Sequence, residues 1–445
     1  MLHRTLPPWA ALSATLSLAA SAAGPAPEPA TDAVLARLIE QSLAARPELA
    51  EARAAVRAER ERVPQASALP DPMLQLGVQN DGFTGWEVGR METSWYQVMV
   101  SQTIPWPAKL RLRGEVAELG VRQAAQRLAR AGLSAEADVR RAYLDLLLAR
   151  DRLALLQQLE AIWLQASSAA RARYEAGQGA QSDVLRAQLE LNRLKQRRWS
   201  LQAEAGAAVQ ALNRLRGHAL GEPIETSTRL QDLVLPPLRD LEQDALARSP
   251  ELAEARLAVD QARGSVELAR QGPRPDLTVS AGVMPRGGDL PPMWLAGVGG
   301  PLPIFASSKQ GRAAAEAEAR ATAAERRAEA LEQQLRLRAA QRRTAMAAIL
   351  ETVGLYREGL LVQSETTAQS ALAQYAVGKV TFASVLEANA GLIADEEGAL
   401  AAVAQAHRLE IDSAEVSLGP LPGRPAEGME AAAVPGAASE PASGM

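Results

Sequence analysis

The sequence predicts a mainly α-helical protein with a small β component of the membrane type, assembled from two copies of one unit. Three observations carry that prediction. All 27 prolines of the 445-residue chain fall outside residues 108–222 and 304–419. A proline inside a helix removes a hydrogen bond and clashes with the preceding turn, at about 3 kcal/mol or more. Two long proline-free runs rich in Ala, Leu, Arg, Glu and Gln therefore read as very long helices. The second observation is an internal echo. Pro47-Glu-Leu-Ala-Glu-Ala-Arg53 recurs letter for letter at Pro250 to Arg256, and landmarks downstream repeat at nearly constant offset. The third is a pair of alternating segments in each copy, which read as strands.

Composition fits thin helix seams better than a thick globular core. Apolar residues make up 47% of the chain but aromatics only 3%, so alanine and leucine carry the apolar content. Net charge is −4 with Arg and Glu interleaved, and no basic block supports nucleic-acid binding. There are no cysteines, and the histidines are His3, His218 and His407. Disulfides, thiolate metal sites, a cysteine nucleophile and a lipid anchor on an N-terminal cysteine are excluded.

Residues 1–23 read as a signal peptide. His3 and Arg4 precede an apolar segment from Trp9 to Ala20, and Ser21-Ala22-Ala23 supplies small residues before a cleavage near Gly24. That segment is too short to span a bilayer comfortably, and no other uncharged apolar run reaches about 18 residues. The chain is expected to leave the cytoplasm without a transmembrane helix.

The first repeat is placed at 24–217. Thr31-Asp32 suits a helix cap, followed by an amphipathic segment through Val34, Leu35, Leu38 and Leu43. Pro47 opens a second short helix to about Ala66, proline being favoured at a first helical position. Two strands follow. In 73–79, Leu74, Leu76 and Val78 alternate with Gln75, Gly77 and Gln79; in 95–102, Tyr96, Val98 and Val100 alternate with Gln97, Met99 and Ser101. The helix expected from about Ala108 to Tyr174 spans roughly 100 Å at about 1.5 Å per residue. A 3-4 seam runs along it through Leu128, Gly132, Ala135, Val139, Ala142, Leu146, Ala149, Leu153 and Leu156. Gly177 and Gly179 break it, and a return helix runs from about Gln181 to Leu215. The run is thus a helical hairpin turning at Tyr174-x-x-Gly177, the glycine accommodating a left-handed cap.

A linker at 218–236 carries Gly221, Pro223 and Pro236, and the second repeat, 237–418, follows the same plan. Its strands are expected at 277–283 and 294–299, where Leu277, Val279 and Val283, then Trp294, Ala296 and Val298, face one side. Its helices are expected from about Ser307 to Tyr375 and from Phe382 to Ser417, turning at Tyr375-x-x-Gly378. The short helices at 47–66 and 250–271 would fill the length that the shorter return helices leave open. Residues 419–445, rich in Pro, Gly, Ala, Ser and Glu, read as a disordered tail.

Apolar-out, polar-or-small-in alternation suits a barrel wall between lipid and water, although half-buried hairpins on a soluble domain share the same period. Four strands cannot close a water-filled barrel, since small closed barrels need about eight. Strands in lipid would then have to come from several chains sharing one barrel, because unpaired backbone groups there cost several kcal/mol each.

With these residues the chain resembles the outer-membrane efflux proteins, the TolC-like channels, over roughly residues 31–418. The stretch Ile104-Pro-Trp-Pro-Ala-Lys-Leu110 is similar to the heavy-metal efflux branch. The resemblance implies a homotrimer with a shared twelve-stranded outer-membrane β-barrel on a periplasmic α-helical coiled-coil tunnel, in a Gram-negative outer membrane. It implies a periplasmic adaptor and an inner-membrane resistance-nodulation-division (RND) pump as partners. It also implies closure at the hairpin tips, with Glu387 where the family often has an axial acid, Ser384 at a position acidic in some members, and Asp183 matching one side of a latch. Val380 stands where some members carry the latching arginine, so that particular pair is missing.

Each candidate has a plainer reading. Glu387 could be a solvated surface acid, and Tyr174 and Tyr375 could simply pack the hairpin ends. As exposed tips, Tyr174, Gly177, Tyr375 and Gly378 are also candidates for the adaptor contact. Pro105, Trp106, Pro107 and Pro303 mark the expected barrel–tunnel junction, where an interfacial aromatic is favoured; a rigid connector is the alternative. Met73, Met91, Met99, Met284 and Met293 cluster near the strands, but methionine is an ordinary apolar residue before it is a Cu(I) ligand. His218 and His407 read as structural.

The expectation is a passive exit duct, not an enzyme, with no cofactor and with heavy-metal cations as cargo; a multidrug efflux or type I secretion channel is the alternative. A periplasmic coiled-coil adaptor or scaffold is the competing class, and the strands carrying Trp95, Tyr96 and Trp294 argue against it.

Overall fold

The computed structural model describes residues 32–416 and residue 418; the expected signal peptide and tail lie outside them. Helix α1 (Ala33–Ala45) starts at Asp32, whose carboxylate accepts from the Val34 N–H at 2.9 Å. Thr31 lies outside the described residues. Helix α2 (Pro47–Ser67) has proline at its start and a second, Pro64, inside. Strands β1 (Met73–Gln79) and β2 (Trp95–Ile104) follow.

The long run is a hairpin of α3 (Pro107–Glu175), 69 residues in one unbroken helix, and α4 (Gln181–Leu215). At about 1.5 Å per residue α3 is roughly 100 Å long. The expected seam lies on its inner side: Ala135, Val139, Leu146, Ala149 and Leu156 are buried, while Leu128 and Gly132 are half-buried.

After a short 3₁₀ turn at Leu230–Asp232, α5 (Glu242–Arg248) leads into α6 (Pro250–Arg270). Ser249 caps α6, its hydroxyl accepting from the Leu252 N–H at 3.2 Å. Strands β3 (Leu277–Met284) and β4 (Met293–Gly299) precede the second hairpin. Its outgoing arm departs from the expected single helix. Helix α7 (Gln310–Leu355) begins three residues after the expected Ser307, because Ser308 Oγ donates back to the Phe305 carbonyl at 3.2 Å rather than capping forward. A π-turn at Tyr356–Leu360 then separates α7 from α8 (Leu361–Ala376). Helix α9 (Phe382–Ala414) returns.

The four strands form one antiparallel sheet in chain order, so the two halves meet where β2 pairs with β3, in a register that sets Val98 opposite Val283 and Ile104 opposite Leu277. One face carries Leu74, Leu76, Val98, Val100, Val279 and Val283, and every one of these is exposed. The other face carries Gln97, Ser101, Thr103, Thr278 and Ser280, which are half-covered, with Thr103 and Thr278 hydroxyls 3.1 Å apart. A soluble sheet places its apolar face on a core. Here no element among the described residues lies over the apolar face, and Trp294 on β4 is 79% exposed.

Helices α2 and α6 pack along α3, and α6 along α7, on the sheet side of the hairpins. The largest apolar cluster joins α1, α3, α4, α7 and α9 with Ile224 and Leu230. Beside it, Glu415 at the end of α9 ties that helix to α3. Arg130 donates to its carboxylate at 2.9 Å and Ser134 at 3.0 Å, and Arg141, which also reaches Asp412 at 2.8 Å, is bonded to it as well. Arg130 is shared with Glu251 of α6 at 2.8 Å. Among the described residues no helix is long and apolar enough to cross a membrane.

Candidate functional site at the hairpin tips

The two tips are built alike. Gly177 and Gly378 have φ of 73° and 80°, the left-handed region in which glycine carries no Cβ penalty. Gly177 N–H bonds to Tyr174 O at 2.9 Å and Gln178 N–H to Arg173 O at 2.8 Å; Gly378 and Lys379 repeat these bonds to Tyr375 and Gln374, both at 2.9 Å. This double closure satisfies carbonyls that a helix end otherwise leaves open.

The two tyrosines then diverge. Tyr174 is 47% exposed, whereas Tyr375 is 2% exposed. Tyr375 therefore does not present its ring to an adaptor, as the symmetry of the tips had suggested. It packs edge-on against Phe382 with ring centroids 5.2 Å apart, inside a cluster with Trp163, Ala166 and Val385. Its hydroxyl donates to Asp183 Oδ2 at 3.0 Å, across from α8 to the first turn of α4. Burial, followed by that hydrogen bond and the carboxylate's charge, pushes the Tyr375 phenol up to about 12.

Arg173 completes the contact and was not anticipated. Its guanidinium lies 4.7 Å over the Tyr375 ring, donates to the Tyr375 carbonyl, and donates to Gln178 O at 3.0 Å. A Cβ on Gly378 would come within 3.3 Å of its Nη2. One cation thus ties the loop of the first hairpin to the loop of the second. The residue sits next to Tyr174, but nothing in helical spacing distinguishes it from the other arginines of α3.

Val380 packs against the same apolar cluster. Asp183 has its partner in Tyr375. Glu387 is exposed, and it lines an open cleft between α8 and α9 with Ser384. Ser384 Oγ is 3.4 Å from Thr381 Oγ1. The structure brings Asp183, Tyr375 and Gly378 together with Arg173, and leaves Glu387 and Ser384 on a separate face of α9.

At the sheet–helix junction, Pro105 is buried, Trp106 partly exposed, and Pro107 is the first residue of α3. Lys109, buried, donates to Asp276 Oδ1 at 2.9 Å and to Arg274 O at 2.6 Å, while the Trp106 N–H bonds to the same carboxylate oxygen at 3.0 Å. Arg274 stacks 5.1 Å from the Trp106 ring. Burial works against the charged form of Asp276, but the bonds from Trp106 and Lys109 outweigh it and hold its carboxyl below the usual range. The Pro-Trp-Pro-Ala-Lys stretch therefore clips the first hairpin to the loop before β3. Pro303, half-buried, has no such clip; its carbonyl accepts from the Ala306 N–H at 3.1 Å.

No group of three or more His, Asp and Glu able to hold a metal ion occurs among the described residues. Met284 and Met293 sit opposite each other in the β3–β4 ladder, while Met99 faces Gln75 and Gly282. The site holds hairpins together by hydrogen bonds, a cation–π contact and packing, and presents no nucleophile–base pair.

Comparison with known proteins follows the same lines. The family model described as outer membrane efflux protein matches residues 38–218 and 241–416. Among solved structures, CusC is similar with a TM-score of 0.75 at 19% identity, covering 86% of this chain and 92% of its own. The outer membrane protein VceC of Vibrio cholerae gives 0.71 at 19%, covering 86% and 95%. The Neisseria gonorrhoeae outer-membrane channel MtrE, in its open state, gives 0.72 at 19%, covering 86% and 89%. Comparison with curated protein sequences gives no match.

Proposed function

The chain belongs to the outer membrane efflux protein family, and from that premise we propose that it is the passive outer-membrane exit duct of a tripartite efflux system. The observation that carries the reading is the sheet. It has an uncovered apolar face, a polar opposite face and two unpaired edges, β1 and β4, above helical arms roughly 100 Å long. Three copies joined edge to edge supply twelve strands, enough for a water-filled lumen with every ladder closed. The helical arms then extend the lumen into the periplasm.

The tips form the gate. Tyr375, Asp183 and Arg173 fasten the two hairpins of one chain, and Tyr174, Gly177 and Gly378 present the outer surface to a periplasmic adaptor that couples the duct to an inner-membrane RND pump. Glu387, exposed on α9 in three copies, favours cations at the constriction. Heavy-metal cations are the cargo favoured by the Ile104 to Leu110 stretch, whose Lys109 clip is part of the duct's frame. Multidrug export is the second reading.

Two measurements test this. Cell fractionation should give a heat-sensitive trimer in the outer membrane, and the purified trimer should conduct in planar bilayers; a soluble periplasmic protein ends the duct reading. A deletion strain hypersensitive to metal salts but not to drugs supports the metal cargo, and the reverse profile replaces it with the multidrug one.

A further inference from the structure

Two clusters of buried side chains hold the second hairpin, and they leave a gap. The larger includes Val353 and packs Tyr356 at its margin. The tip cluster includes Tyr375, Phe382 and Val385. Between Val353 and Ala368 no residue of this outgoing arm is buried within the chain. The matching stretch of α3 buries Leu155, Leu156, Leu159, Trp163 and Ala166.

The π-turn lies in that gap. The Leu361 N–H reaches back five residues to the Tyr356 carbonyl, the widened geometry that interrupts the regular ladder of an α-helix. The dihedrals at Leu355 and Leu360 remain helical, φ −59° at both, so the ladder widens without backbone strain at either residue. Gly354 precedes it and Gly359 lies within it, and a Cβ at either would meet nothing within 4 Å. Neither glycine is required by packing within the chain; their effect is to loosen the backbone relative to alanine.

The facing helix shows the opposite use of glycine. A Cβ on Gly398 would come within 2.9 Å of Tyr356 Cζ, so the Tyr356 ring lies directly against the α9 backbone. On the tip side of that contact α8 and α9 stay packed together through Tyr375, Phe382 and Val385, with a groove along one side. Burial, and after it the charges of Glu365 and Asp395, raise the Glu396 carboxyl above its usual range. An open cleft of about 460 Å³, lined by Gln363, Thr367, Glu387 and Asp395 among others, runs along the two helices there.

We propose that the Tyr356–Leu360 turn is a hinge about which α8 and the tip it carries swing relative to α7, with the Tyr356–Gly398 contact as pivot. The purpose of the swing rests on the reading of the tip as a gate; the bending itself does not. Only the second hairpin has this hinge, since α3 runs unbroken through the matching stretch.

The chain has no cysteine, so Thr344→Cys on α7 and Gln374→Cys on α8, both exposed, can carry spin labels in one subunit of an otherwise unlabelled trimer. The expected result is a broad 344–374 distance distribution that Gly354→Ala with Gly359→Ala narrows. Amides of residues 354–367 should exchange with solvent faster than those of residues 153–166, and the same double variant should slow them about tenfold. A narrow distance distribution that the variant leaves unchanged, or exchange no faster than in α3, overturns the hinge. Conductance of the same trimers separates the two ideas: bending that alters no conductance counts against the gate and leaves the hinge standing.

Discussion

Tyr375 Oη donates to Asp183 Oδ2 at 3.0 Å, and with that bond the second hairpin is fastened to the first. A hydrogen bond to a charged acceptor contributes roughly 1.5–3 kcal/mol. Tyr375→Phe keeps the ring packed on Phe382 and removes only the bond. It should raise the open fraction of the duct about tenfold, read as conductance in planar bilayers, with trimer stability little changed. A Tyr375→Phe channel as quiet as the parent would remove the bond from the gate.

The same phenol makes the Tyr375–Asp183 bond sensitive to alkali. Its pKa stands at about 12 against an ordinary 10.0, and Tyr143, buried and bonded to Asp32, is likewise at about 12. A raised folded-state value means the stabilisation is complete below pH 10 and is lost as pH climbs through 12. Absorbance titration of the native protein should show two of its five tyrosines ionising only near the upper end of that window. Uniform titration near 10 would contradict the buried geometry at both sites.

Lys109→Met leaves Asp276 with the Trp106 N–H but without its cation. With Lys109 buried and Asp276 partly so, the loss should be roughly 2 kcal/mol in thermal unfolding. Asp276 has a lowered carboxyl pKa, so its contribution is present above the unfolded value and lost as pH falls through the folded one. The gap between parent and variant should therefore close in acid. A gap that persists unchanged at low pH would mean that lost packing, rather than the ion pair, explains the loss.

The two faces of the sheet can be told apart by one residue's shift. Val98→Arg on the apolar face should destabilise membrane assembly by about 2–4 kcal/mol near the bilayer midplane. Gln97→Arg, one position away and on the polar face, should assemble normally. Equal loss of heat-sensitive trimer in both would remove the lipid-facing assignment.

The parts of this fold that repeat locally were legible in the sequence. Alternation placed β1 at its observed limits, and the other strands to within two residues at each end. Tyr-x-x-Gly located both tips, because a left-handed cap needs glycine wherever it occurs. What pairs across the halves was hidden. Asp183 and Tyr375 are 192 residues apart, and Arg173 and the Tyr375 carbonyl 202; neither partnership leaves a spacing to read. The likeness of the two tips was itself misleading, since one tyrosine faces outward and the other is buried. The π-turn escaped for a different reason. Gly354 and Gly359 suggest a weak helix, but whether it bends depends on the absence of core beneath it.

The pairing of β2 with β3 has a consequence for the order in which the molecule can form. Thr103 and Thr278 lie side by side yet are 175 residues apart in the chain, so the central ladder closes a very long loop. Each helical hairpin closes only around its own turn. Loop-closure entropy favours the local contacts first. The hairpins should therefore gain exchange protection ahead of the central strands in pulse-labelled refolding, and the shaft exists before the wall it supports.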